Sequence, residues 1–185
     1  DKREDLFDFI IEASKELTGS EFAFFGLLNE DETDMAIHAW SKNTKESCRI
    51  TDQPIHFPIK KSGIWGDCVR ARKTVIYNDY SENIATKHGT PEGHVPITRY
   101  MGIPVFEGDR IVAVGGVANK AEPYKFYEAN GLRTIYDRLW DIVMRYRAEA
   151  SLHDIEWLLS KSLGNPPVDH EYTQPYGDVT EYNTA

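Results

Sequence analysis

The side chains able to do chemistry concentrate between Trp65 and Tyr100, where aromatic, acidic, basic and imidazole groups alternate with glycine and proline. Trp40, Trp65, Tyr80 and Tyr100 stand at the ends of apolar runs, where aromatic rings either wall a small-molecule site or pack as core. Asp79, within Asn78-Asp79-Tyr80, can accept from loop amides or from a ligand's donor. His88, Glu92 and His94 are metal-ligating types, but their spacing matches no helical face and Gly89 and Gly93 loosen the backbone between them. Zinc takes three or four ligands of fixed geometry, so no metal is expected. Cys48, beside Arg49, and Cys68 are read as structural, because no Cys-x-x-Cys-His haem attachment occurs. No Gly-x-Ser-x-Gly elbow and no phosphate-binding loop is present. Gly115-Gly116 falls inside an apolar run, where glycine serves close approach. The chemistry on offer is recognition, and no catalytic residue is assigned.

Bulk composition narrows what is recognised. The 185 residues suit one domain with extensions, and 41% hydrophobic with 12% aromatic residues is globular. A net charge of −9 argues against a nucleic-acid partner, which needs a basic face. It also argues against an anionic membrane surface, and no apolar run approaches the roughly 20 residues that span a bilayer. No signal-peptide pattern is present, and the start at Asp1 is read as an excision from a longer polypeptide. Two cysteines make no disulfide framework, which points to a reducing cytoplasm.

Leu6, Ile10, Ala13 and Leu17 form an apolar helical stripe stopped by Gly19. Phe22 to Leu28 reads as a central strand and Met35 to Trp40 as its hairpin return. A polar connection follows, with a short strand near Arg49-Ile50, ending at Pro54 and Pro58. Ser62 is placed to cap a short helix through Arg72, with a strand over Lys73 to Tyr77. Asn78 to Pro96 is a long loop, a kind that is usually functional or mobile. Arg99 to Phe106 and Arg110 to Ala118 form a hairpin. From Lys125 a helix carries a heptad-like seam of Leu132, Tyr136, Leu139, Val143 and Tyr146, continues to about Leu163, and ends at Gly164-Asn165-Pro166-Pro167. This order predicts an α+β fold, an antiparallel sheet with helices on one face and the terminal helices bundled together. The division expected is a domain over 1–150, a helical extension over 151–163 and an acidic, Pro-containing linker over 164–185.

Gly63-Ile64-Trp65-Gly66, Val75 to Tyr80, Pro91 to His94, the strand to Val105 and Gly116 to Lys120 resemble the GAF domain, the sensory module of many sensor kinases. The resemblance runs from Leu6 to Tyr146. It implies a GAF/PAS-like fold and a small-molecule ligand held under the long loop, with Trp65, Asp79, Tyr80, His94, Arg99 and Tyr100 as ligand-binding residues. An imidazole and a guanidinium there would favour an anionic or carbonyl-bearing ligand. The alternative is that His94 caps loop backbone and Arg99 pairs with Glu92 or Asp79. Asn119-Lys120 keeps only part of the cyclic-nucleotide signature of such domains, and a structural Lys120–Glu128 pair is the simpler reading. The stripes Leu6–Leu17 and Leu132–Tyr146 are expected to pair across a two-fold axis, giving a homodimer through the terminal helices, and the resemblance implies an output domain elsewhere, as in two-component sensor histidine kinases. The rivals are a haem-binding redox or gas sensor with a cysteine such as Cys48, a ligand-free dimerisation module, and an enzyme of the methionine-sulfoxide-reductase kind.

Overall fold

A computed structural model of the chain describes residues 2–40, 55–81, 84–87 and 95–162. Six strands form one antiparallel sheet: β1 (Phe22–Leu28), β2 (Asp34–Trp40), β3 (Ile55–Pro58), β4 (Val75–Tyr77), β5 (Tyr100–Glu107) and β6 (Arg110–Ala118), in the order β3-β2-β1-β6-β5-β4. The central pair β1 and β6 is buried on both faces, as the unbroken apolar run Phe22 to Leu28 requires. Helices α1 (Lys2–Thr18) and α3 (Phe126–Ser162) pack side by side on one face. The 3-10 turns Ile59–Lys61 and Gly63–Gly66, the short helix α2 (Asp67–Arg70) and, after β4, Tyr80, Ile84, Val95 and Ile97 cover the other. Each face has its own core. Phe25, Met101, Ile103, Leu132 and Tyr136 belong to the helical side, and Phe24, Met35, Cys68, Tyr100 and Val114 to the other.

Two glycines in β6 bring large rings onto the sheet. A Cβ on Gly115 would lie 2.2 Å from the Tyr136 ring, and one on Gly116 would lie 2.1 Å from the Phe24 ring. One glycine therefore serves each face, because successive residues point to opposite sides.

Several expectations need correction. The buried face of α1 is Phe7, Ile10, Ile11, Ser14 and Thr18, while Leu17 is 47% exposed. Two hydroxyls can take core positions because each has a partner: Ser14 Oγ donates to the Ile10 carbonyl at 2.6 Å and Thr18 Oγ1 to the Ser14 carbonyl at 2.7 Å. Likewise, Leu132, Tyr136 and Leu139 of the expected interhelical seam are buried against this chain's own sheet. Ser62 makes no side-chain cap and donates to the Ile59 carbonyl at 2.9 Å instead. Strand β3 lies where only a connection is expected, since four residues ending at Pro58 give too little pattern to read. As expected, helix α3 continues past position 150, to Ser162. The expected strand near Arg49-Ile50 and the linker over 164–185 lie outside the described residues.

Candidate functional site

The pleat at the β4–β5 edge sorts the candidate residues. Tyr77 and Tyr100 are register partners and point away from the long helices, with ring centroids 6.5 Å apart. Trp65, delivered by the turn Gly63–Gly66, stands edge-on to Tyr100 at 4.9 Å and to Phe24 at 5.5 Å. Tyr80 packs into the same cluster, and its backbone N–H donates to the Thr98 carbonyl at 2.9 Å, joining the two ends of the loop. The fold thus gathers Trp65, Tyr80 and Tyr100, and adds Tyr77. Trp65, Tyr77 and Tyr80 are half-buried, whereas Tyr100 is fully buried.

Arg99 is not brought to this cluster. One residue before Tyr100, it turns the other way, and its Nη1 donates to the Lys120 carbonyl at 3.1 Å, between β6 and α3. Its Nε is buried without a hydrogen-bond partner among the described residues. Asp79 is exposed and accepts from the Ser81 hydroxyl at 2.6 Å and the Ser81 backbone N–H at 2.8 Å. Those two bonds hold its carboxyl below the usual range. Trp40 closes β2 opposite Phe24 in the register. His94, His88, Glu92 and Cys48 lie outside the described residues, as does any test of the haem reading through Cys48.

A buried acid supports the aromatic cluster. Asp67, 6% exposed, accepts from Arg70 Nη2 and the Tyr77 hydroxyl, each at 2.6 Å, and from Thr86 Oγ1 at 2.5 Å. It ties α2, β4 and the loop to one point. Arg70 also donates to the carbonyls of Ile59 and Gly63. A Cβ on Gly66 would lie 2.7 Å from Arg70 Nη1, so glycine there clears the guanidinium's path. Burial and the bond to Asp67 push the Tyr77 phenol up to about 12. Burial, then the Asp67 charge, push the Cys68 thiol up to about 12, leaving an inert core residue. Among the described residues no group of three metal-ligating side chains converges, and no helix is long and apolar enough to cross a membrane.

Both ends of the loop are fastened to the connector from β6 to α3. The Asn78 side chain donates to the Tyr124 carbonyl at 3.1 Å and accepts from its backbone N–H at 2.7 Å. Asn119, in the left-handed region at φ 60°, accepts from the Thr98 N–H at 2.9 Å and donates to the Pro96 carbonyl at 2.8 Å. Lys120 then pairs with Glu128 in the first turn of α3, and Glu128 accepts from the Lys125 N–H at 2.8 Å. The Lys120–Glu128 pairing read from the sequence is present.

These strands, glycines and loop ties coincide with a family-model match to the GAF domain over residues 2–144. The chain belongs to the GAF domain family. Over 158 residues, 85% of this GAF chain, it is 36% identical to the methyl sulfide methyltransferase-associated sensor of Methanosarcina acetivorans. It spans 16% of that sensor's length. Solved GAF structures share the fold at low identity. One, from a phosphoenolpyruvate-protein phosphotransferase of Coxiella burnetii, has a TM-score of 0.65 at 13% identity, covering 80% of this chain and 86% of that one. Another, from a two-component sensor histidine kinase of Bacillus halodurans, has a TM-score of 0.60 at 16% identity, covering 80% and 97%. Sequence reasoning missed the parts of this GAF site that do the fastening. No sequence motif marks Asp67, while Asn78 and Asn119, polar residues at the ends of apolar runs, carried a signal that could have marked the ties.

Proposed function

We propose that this GAF domain is a sensory module that binds a small molecule on the α2 face, under the loop over 78–96, and passes the response out through α3. One observation carries the reading. Adjacent residues at the sheet edge serve both faces, so that Tyr77 and Tyr100 meet the aromatic cluster while Asn78 and Arg99 grip the connector to α3. A ligand that bound one loop position more tightly would bias that connector by its differential affinity, typically about 1–3 kcal/mol. The sensor relative and the histidine-kinase neighbour support a signalling parent. The output domain we infer is that of a two-component sensor histidine kinase, with regulation rather than catalysis in this part of the chain. Homodimerisation through the terminal helices belongs to the same reading, supported by Tyr146, Leu152 and Ile155, which stand exposed on α3. A cytoplasmic setting fits the free, buried thiol of Cys68.

The test is to expose the chain to a metabolite extract, wash it, and identify retained small molecules by native mass spectrometry. Hydrogen exchange with and without the retained species should differ over 119–128, and Asn78→Ala should abolish that difference without abolishing retention. Failure to retain any small molecule would overturn the proposal, as would retention that leaves 119–128 unchanged.

A further inference from the structure

Among the described residues one buried tyrosine hydroxyl is left unanswered. Tyr77 donates to Asp67 at 2.6 Å, Tyr124 pairs with Ser20 at 2.7 Å and Tyr136 with Ser14 at 2.9 Å. Tyr100, with 0% exposure, has no hydrogen-bond partner for its hydroxyl among the described residues. A buried hydroxyl without a partner destabilises a fold, so its retention calls for a reason. Its position is built rather than incidental. A Cβ on Gly102 would lie 2.5 Å from that oxygen, so glycine is what lets the phenol lie along the sheet.

The surroundings limit what could answer it. A lone water needs two to four polar partners. Trp65 and Tyr77 contribute rings here, Cys68 a weakly bonding thiol, and both Asp67 oxygens are already occupied. The Arg70 guanidinium is committed to Asp67, Ile59 and Gly63, and Arg99 points to Lys120. Of the described cations beside the cluster, Lys87 is spent at the rim, where its Nζ donates to the Tyr80 carbonyl at 2.5 Å and lies 4.2 Å from the Tyr80 ring centre, so the cluster sets no cation against the Tyr100 hydroxyl. It offers one deep donor below the half-buried rings of Trp65, Tyr77 and Tyr80.

We propose that Tyr100 is the specificity-determining donor of this site and that its ligand is an uncharged molecule with a flat apolar body and one strong acceptor, a ring nitrogen or a carbonyl oxygen. This rests on the reading that the α2 face binds a ligand. Burial keeps the phenol protonated well beyond neutral pH, so it donates under all ordinary conditions.

Three probes of one shape separate the possibilities: naphthalene, quinoline and quinoline-2-carboxylate. Each is titrated at neutral pH into the 185-residue chain and its Y100F variant. Binding is followed by the Trp65 indole resonance, assigned with Trp65→Phe. Quinoline should bind the unmodified chain roughly three- to tenfold more tightly than naphthalene, the span of a neutral hydrogen bond. Y100F should remove that ratio, and the carboxylate should bind weakest. Y100F should melt no lower than the parent, because it deletes an unpaired group. A ratio that survives in Y100F, a preference for the carboxylate, or a clearly lower melting temperature for Y100F overturns the proposal while leaving a ligand-binding face. No probe shifting Trp65 at millimolar concentration overturns the binding reading as well.

Discussion

At the scale of single residues, the informative groups are buried polar ones, and what matters is which are paired. Asp67→Ala would leave the Arg70 guanidinium, the Tyr77 hydroxyl and Thr86 without their shared acceptor. The expected loss is about 2–3 kcal/mol, below the range for a fully desolvated pair because the Arg70 side chain keeps 31% of its exposure. Chemical denaturation measures it, and an unchanged midpoint would show that Asp67 fastens nothing. Little of this was legible in the sequence. Trp65, Tyr80 and Tyr100 announce themselves because large rings near a glycine-flanked turn and a strand end have few places to go. Arg99 misleads for a physical reason: adjacent strand residues face opposite sides, and the sequence around it does not reveal which side is which until the partner of Tyr100 is known.

Elements are held together by devices that the apolar pattern does not encode. Glu32, at φ 56°, accepts from Arg72 Nη1 at 2.5 Å and from the Ile111 N–H at 2.7 Å, joining the β1–β2 turn to the β5–β6 hairpin. Burial raises its carboxyl, but these bonds outweigh it and hold the group below its ordinary 4.5. A depressed carboxyl stabilises the fold above its unfolded value and loses that contribution as pH falls through the folded one. Stability should therefore decline as pH drops below about 4.5, and Glu32→Gln should flatten that part of the profile. Equal profiles for the two proteins would remove Glu32 from the account. The β6 glycines permit a second comparison. Gly115→Ala must displace the Tyr136 ring and should cost about 1–3 kcal/mol or more. Gly131→Ala, inside α3, meets only Leu17 Cδ2 at 3.1 Å and gains helix propensity of up to about 1 kcal/mol, so thermal melting should be level or higher. The strands and both long helices were legible because their periods are strong. β3 was not, being four residues long, and neither was the true face of α1, where Ser14 and Thr18 take core positions by bonding to the helix itself.

At the scale of the whole molecule, one long helix has two tasks along its length. From Leu132 to Trp140 its inner face completes the core, and farther on Tyr146, Leu152 and Ile155 stand exposed. The heptad-like seam from Leu132 to Tyr146 itself crosses the boundary, running from buried Leu132 to the 45% exposed Tyr146, so the sequence alone reads one seam where the fold uses two surfaces. The helix should accordingly respond differently at its two ends. Leu139→Glu places a charge at a 5% exposed position against the sheet and should cost about 4 kcal/mol or more, seen as loss of cooperative unfolding rather than as a clean monomer. Leu152→Glu with Ile155→Glu changes residues 60% and 53% exposed, and should leave the melting temperature of the isolated chain within the small range typical of surface substitutions. If the exposed end is where copies of the GAF domain meet, sedimentation velocity should show the double variant shifting from dimer to monomer at concentrations where the parent remains paired. A parent that sediments as a monomer throughout would reassign those apolar residues to another partner. A double variant that unfolds would place them in a core that this chain builds with itself.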